Sequence, residues 1–251
     1  ANAITSEPTA STLADATTGV GTHDINLAGG TTDNYSFNLG RGTLTINKAV
    51  LTATADDKSK TYGETNPELT ISYSGFVNGD DKTAITTEPS ASTLADATSG
   101  VRTYDIDLAG GTADNYSFNL NSGTLTIGKA TLTTTADDKG KTYGEANPEF
   151  TISYTGFVNG DDANAITTET ASTIADATSD TGTYDITLSG GSANNYSIIM
   201  NNGTLTIGKA TLTATAEDKQ RAVGQANPAF TISYSGFVNG DDKSVIDTEP
   251  T

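Results

Sequence analysis

The chain has no cysteine and no tryptophan, one histidine and one methionine, and only 13 lysine and arginine residues against 31 aspartate and glutamate. Each scarcity removes a class of chemistry. Without cysteine there is no disulfide framework, no thiolate nucleophile and no thiol-based metal site. With one histidine, His23, and no nucleophile motif, hydrolase and transferase chemistry loses its usual residues. The net charge of −18 repels phosphate backbones and anionic lipid, which argues against nucleic acid as a partner. No stretch approaches the ~20 apolar residues of a spanning helix, so no membrane insertion is expected within this segment. No signal peptide opens the chain, as would hold for any interior piece of a longer protein. What remains is a composition rich in Thr, Ser, Gly, Asn and Asp, with 34% hydrophobic residues, which suits short β-strands joined by polar turns.

The sequence repeats itself. Gly-Phe-Val-Asn-Gly-Asp-Asp begins at Gly75, Gly156 and Gly236, a period of about 80 residues. Asn-Tyr-Ser recurs at Asn34, Asn115 and Asn195, and Gly-Thr-Leu-Thr-Ile at Gly42, Gly123 and Gly203. A Lys-Ala pair recurs at Lys48, Lys129 and Lys209. Opening each repeat at that pair makes 48–128 and 129–208 complete. Residues 1–47 are then the C-terminal part of a repeat and 209–251 the N-terminal part. Ala1-Asn2-Ala3-Ile4 stands at the phase of Lys82-Thr83-Ala84-Ile85, and the stretch from Lys243 to Thr251 returns to that phase. Half-repeats leave apolar strand faces and unpaired edges in water. Head-to-tail continuity with neighbouring copies of the same repeat is therefore expected, within one longer chain or between subunits by β-augmentation.

Within the repeat 129–208, Leu132, Thr134 and Ala136 alternate with three threonines, the period-two pattern of a half-buried strand. Phe150, Ile152 and Tyr154 alternate likewise, followed by Phe157. So do Tyr184, Ile186 and Leu188; Tyr196, Ile198 and Met200; and Leu205 with Ile207. Apart from Met200, the large apolar side chains of this set are expected to form one core. Asn147-Pro148, Asn159-Gly160-Asp161-Asp162 and Ser189-Gly190-Gly191 mark loops. One Asp-capped helical turn is expected between Ala163 and Thr168. The fold expected is all-β, a tandem array of small Ig-like β-sandwich domains, with β-grasp units around a short helix as the alternative. Between repeats, Gly203 to Ala216 holds no flexible linker, and 14 residues in extended form reach roughly 45 Å at ~3.3 Å each. A stiff rod is expected.

Five motifs in order carry a family resemblance: Lys-Thr-Tyr-Gly-Glu-Ala-Asn-Pro (141–148), Tyr-Thr-Gly-Phe-Val-Asn-Gly-Asp-Asp (154–162), Gly-Thr-Tyr-Asp-Ile (182–186), Asn-Asn-Tyr-Ser (194–197) and Gly-Thr-Leu-Thr-Ile-Gly-Lys-Ala (203–210). Together they resemble the bacterial MBG domain of the Tyr-Gly type, over essentially the whole chain. The resemblance implies tandem domains of large secreted or surface-anchored, adhesin-like bacterial proteins, and it brings no catalytic or cofactor-binding residues. One departure stands out: Tyr62 and Tyr143 of the Tyr-Gly pair become Val223 in the last copy.

The candidate sites are few. His23 occupies the position of Tyr104 and Tyr184, an inward-facing aromatic position. Carboxylate pairs recur at Asp56-Asp57, Asp80-Asp81, Asp137-Asp138, Asp161-Asp162 and Asp241-Asp242, with Glu217-Asp218 as one replacement. They read as solvated turn residues or as hard oxygen ligands for calcium between domains, at a spacing that is not that of an EF-hand loop. No obligatory metal and no metal-ligating residue are expected. Asn34, Asn115, Asn195 and Asn202 satisfy the N-glycosylation pattern, which reads equally well as strand entry or turn. Units of this length give no short-period threonine lattice for ice binding. The expected function is a non-enzymatic extracellular stalk or filament. The alternative is an adhesin module that binds a glycan or host protein through repeated weak sites, for which an exposed aromatic at one loop position per unit would be the sign.

Overall fold

The computed structural model describes residues 4–248, so Ala1–Ala3 and the last three residues, which carry part of the phase argument, lie outside the described residues. The chain divides into two compact units, Ala1–Gly128 and Lys129–Thr251. Both are all-β, with helical geometry among the described residues confined to single 3-10 turns.

In the second unit the residues 129–208 form two sheets. One has the order Ile152–Thr155, Ala130–Ala136, Tyr196–Asn201; the other has Lys139–Thr142, Gly203–Gly208, Gly182–Gly190, Glu169–Ser172. Two pairings are parallel, with Leu132 beside Ile198 and Lys141 beside Ile207. The remaining pairings are antiparallel. The sandwich is thus mixed, a property that side-chain alternation cannot reveal, because it has period two in either strand direction. The first unit repeats the arrangement in 48–128, where Leu51 lies beside Phe118 and Lys60 beside Ile127.

The parallel pairs arise because two stretches cross from one sheet to the other side by side, at Asp137-Asp138 and at Asn202. The crossing is tight. A Cβ at Gly203 would lie 2.3 Å from the Ala136 carbonyl oxygen, and one at Gly123 would lie 2.3 Å from that of Ala55. The recurrent glycine of Gly-Thr-Leu-Thr-Ile is required by this close approach. Paired aspartates fasten the crossing: the Asp137 carboxylate accepts from the hydroxyls of Thr151 and Ser153, and Asp138 Oδ1 accepts from Thr204 N at 2.7 Å.

Leu132, Ile186, Tyr196, Leu205 and Ile207 are buried as expected, and Ala136 is buried as well. Phe150, Ile152, Tyr154, Phe157, Tyr184, Leu188 and Ile198 are half-buried, so the core is smaller than the alternation suggested. For Ile152 and Tyr154 the reason is position: their strand is the edge of the three-stranded sheet. Met200 lies at the surface. Ala175, from a loop, joins the core, and Thr134 is fully buried because its hydroxyl donates to Glu169 Oε1 at 2.8 Å. The expected helical turn is the 3-10 segment Ala163–Ala165, capped by Asp162, whose side chain accepts from Asn164 N. Where one repeat passes into the next in the first unit, strands Gly42–Ile46 and Ala49–Ala55 are separated by two residues.

Candidate functional site: the joint between repeats

The Gly-Phe-Val-Asn-Gly-Asp-Asp loop is built around the tyrosine of Asn-Tyr-Ser. In 48–128, Tyr116 is buried edge-on against Phe76, with ring centroids 5.7 Å apart. Its hydroxyl donates to Asp80 Oδ2 at 2.7 Å and accepts from Val77 N at 3.0 Å. Burial, then the hydrogen bond to the Asp80 carboxylate, raises the tyrosine pKa. Asp81 caps the following 3-10 turn by accepting from Thr83 N at 2.8 Å, and hydrogen bonds from Thr83 lower its pKa. Tyr196, Phe157, Asp161 and Asp162 repeat the arrangement in 129–208. Asn78, Asn159 and Asn239 take positive φ at the tip, the conformation for which asparagine is suited.

That tip reaches the preceding repeat. Asn239 Nδ2 donates to the Ala177 carbonyl at 2.9 Å. Val238 covers Gly144, where an added Cβ would stand 2.5 Å from Val238 Cγ2. Gly144 of the Tyr-Gly motif is therefore a socket for Val238 of the next repeat. Gly224, the equivalent in the last copy, has nothing within 4 Å.

Both walls of the socket are held by one lysine. Lys141 Nζ donates to the backbone carbonyls of Glu145 and Asp176, tying the Tyr-Gly loop to the Asp-Ala-Thr-Ser loop. Asp176 then organises its own loop by accepting from Thr178 N and Thr178 Oγ1, both at 2.8 Å, and these bonds lower its pKa. Lys60 and Asp96 do the same in 48–128. A second tie runs the other way: Val20 N of the leading segment donates to Asn115 Oδ1 at 3.0 Å. Asn115 thus holds the repeat before it, while Tyr116 holds its own loop.

The residues singled out by sequence find structural work. His23 Nε2 lies 3.3 Å from the Gly19 carbonyl, the place taken in the other copies by Tyr104 Oη on Gly100 (3.2 Å) and Tyr184 Oη on Asp180 (3.1 Å). Asp56 and Asp137 are saturated by serine and threonine hydroxyls, of which the serine bond is the strongest cause of their lowered pKa. Glu217 accepts from Thr231 in the same way. Among the described residues no three His, Asp or Glu side chains converge as a metal site. Sequence reasoning missed one recurrent feature. Leu13, Leu94 and Ile174 hold one loop position in three copies and are 99%, 99% and 93% exposed.

Comparison with curated proteins finds no match for this chain. The sequence model of one protein family matches residues 51–126, 132–206 and 212–250, well over half the chain. The Tyr-Gly socket, the Asn-Gly-Asp-Asp tip that fills it and their recurrence with the repeat agree with that match, and the chain belongs to the MBG domain family of the YGX type, as tandem copies.

Proposed function

We propose that this chain is part of a non-enzymatic array that gives an extracellular stalk or filament of a bacterial surface protein its reach and stiffness. One observation carries the reading: the recurrent residues are spent on shaping their own repeat or on joining it to its neighbour, the latter through Val238 over Gly144, Asn239 on Ala177 and Val20 on Asn115. A catalytic or ligand site would leave some of these groups free to face a substrate. Among the described residues no helix is long and apolar enough to cross a membrane. X-ray scattering at high dilution tests the reading. A compact body of this length would have a radius of gyration of about 18 Å. The spacer reading expects a value well above that, unchanged by chelators, and a compact value would refute it.

A second reading has an observation of its own. Three aliphatic side chains exposed at one loop position suit an adhesin that gains avidity from weak repeated contacts, with aliphatic knobs in place of the aromatics expected from sequence. Replacing Leu13, Leu94 and Ile174 together by serine should then abolish adhesion to a host cell surface while the melting temperature stays constant. Adhesion that survives the triple replacement removes this reading.

A further inference from the structure

Each complete repeat begins and ends on the same hydrogen-bonded ladder. In 129–208, Ala130–Ala136 runs parallel to Tyr196–Asn201 over six Cα pairs, from Ala130 beside Tyr196 to Thr135 beside Asn201. Past the crossing, Lys139–Thr142 runs parallel to Gly203–Gly208 over four more, from Lys139 beside Leu205 to Thr142 beside Gly208. A backbone bond closes each end: Ala130 N donates to the Asn195 carbonyl at 3.0 Å, and Tyr143 N donates to the Gly208 carbonyl at 2.8 Å. In 48–128 the same ladder runs from Ala49 beside Tyr116 to Thr61 beside Gly128. Its ends are closed by Ala49 N on the Asn115 carbonyl and Tyr62 N on the Gly128 carbonyl, both at 2.9 Å.

Side chains reinforce the ladder at two places. At the crossing, where strand pairing lapses, Asp138 Oδ1 accepts from Thr204 N and Asp57 Oδ1 accepts from Thr124 N, each at 2.7 Å. At the entry, the lysine of each Lys-Ala pair reaches across to the stretch that leads into the last two strands. Lys129 Nζ donates to the Ala193 carbonyl at 2.8 Å, and Lys48 Nζ donates to the Ala113 carbonyl at 2.7 Å.

The consequence is mechanical. Tension on a tandem chain passes through the backbone, so it enters a repeat at Ala130 and leaves it at Gly208, at opposite ends of one parallel ladder. Drawing those ends apart slides the two runs along their own axes and strains the evenly spaced bonds of the parallel pairs together. An antiparallel pair pulled across its strands gives way one bonded pair at a time. The stretch 143–195 lies between the two runs in sequence and bears no tension until the ladder breaks. Only Lys129 separates Gly123–Gly128 from Ala130–Ala136, so no length of free chain lies between one ladder and the next.

We propose that each complete repeat is a tensile clamp, in which the first two and last two strands form a ladder that resists unfolding when the chain is pulled along its length, with the Lys-Ala lysine as the fastener at its entry. The inference rests on the spacer reading for the origin of the pull and adds a function to it: the array withstands tension as well as supplying reach.

Optical-tweezer measurements on the full chain, which has no cysteine of its own, test this. Gly128→Cys with Lys209→Cys places the handles at the two ends of the ladder of 129–208. Both positions are exposed, and beyond its chain neighbours a Cβ at Gly128 meets only the Lys60 carbonyl oxygen, at 3.9 Å. Thr183→Cys with Thr206→Cys places the handles on exposed Cα partners of an antiparallel pair in the same repeat, so that the pull runs across the strands. The first pair of handles should break the repeat in one step that frees about 26–29 nm of chain, less the span of the folded repeat, at a force several-fold above that of the second pair. Adding Lys129→Met should lower the force for the first pair and leave that for the second unchanged, whereas a general loss of stability would lower both. A force along the ladder no greater than the force across the strands overturns the clamp, and a ladder force indifferent to Lys129→Met overturns the part given to the lysine. The scattering measurement above decides the spacer reading separately, because an extended chain with a weak ladder would pass that test and fail this one.

Discussion

Replacing Gly144 by alanine should loosen the joint between repeats, and Gly224→Ala supplies the control. The two glycines have nearly the same backbone, with φ of +90° and +88°, so any side chain suffers the same left-handed strain at each, about 1–2 kcal/mol. They differ in surroundings. At Gly224 the new methyl meets nothing within 4 Å, whereas at Gly144 it stands 2.5 Å from Val238 Cγ2, about 1–1.5 Å inside the ~3.5–4.0 Å of carbon–carbon contact. Moving Val238 aside, or holding it under strain, costs about 1–3 kcal/mol. The difference between the two variants therefore isolates the joint. Hydrogen exchange followed by mass spectrometry reads it locally: amides around Val238 and Ala177 should lose protection by up to about a hundredfold in Gly144→Ala, at roughly 1.4 kcal/mol per factor of ten. Gly224→Ala should leave those amides alone. Gly144→Ala combined with Val238→Ala should recover part of the loss, as coupled neighbours do. Equal effects of the two glycine variants on those amides would refute the socket.

The other expectations follow from burial and hydrogen bonding. Ile186→Ala removes a fully buried side chain and should cost about 2–5 kcal/mol in denaturant unfolding of its own repeat, whereas Ile152→Ala, on the half-buried edge strand, should fall at or below the low end of that range. Asp15, Asp56, Asp81, Asp96, Asp137, Asp176 and Asp242 all have folded pKa values lowered mainly by hydroxyl donors, so their contribution to stability is full above the unfolded value near pH 4. It is lost as pH falls through the lower folded values, and a melting temperature that stayed level between pH 5 and pH 2 would contradict this assignment. Chelation should leave the melting temperature unchanged, because hydroxyl and amide donors already occupy the carboxylates of Asp80, Asp81, Asp137 and Asp138. A fall in chelator that calcium reverses would restore the ion-bridged alternative.

Much of this was legible in the sequence because the repeat displays each position several times. The strands around Leu132, Ile186 and Leu205 follow from alternation, and the Asp162 cap follows from the loop that precedes it. Alternation does not report strand direction, so the two parallel pairings were not foreseen, nor was the crossing that makes Gly203 obligatory. It also does not report place within a sheet, which is why Ile152 and Tyr154 were expected deeper than they lie. The joint was hidden for a different reason. Val238, Gly144, Lys141 and Ala177 lie far apart in sequence and carry no chemistry that marks them as partners. The one available clue was that the Tyr-Gly and Val-Asn-Gly motifs recur together. The exposure of Leu13, Leu94 and Ile174 was not legible, because leucine and isoleucine are ordinarily buried.

The central claim is that 129–208 and the segment that follows it are held in a fixed relation by Val238, Asn239 and the Gly144 socket. The most direct test is to image arrays of three, six and nine copies of the 129–208 repeat and measure end-to-end distance. Fixed joints predict a distance that rises in proportion to the number of repeats, and a reduced distance when every copy carries the counterpart of Gly144→Ala. A distance that rises only as about the square root of the number of repeats, as for freely jointed beads, would contradict the account.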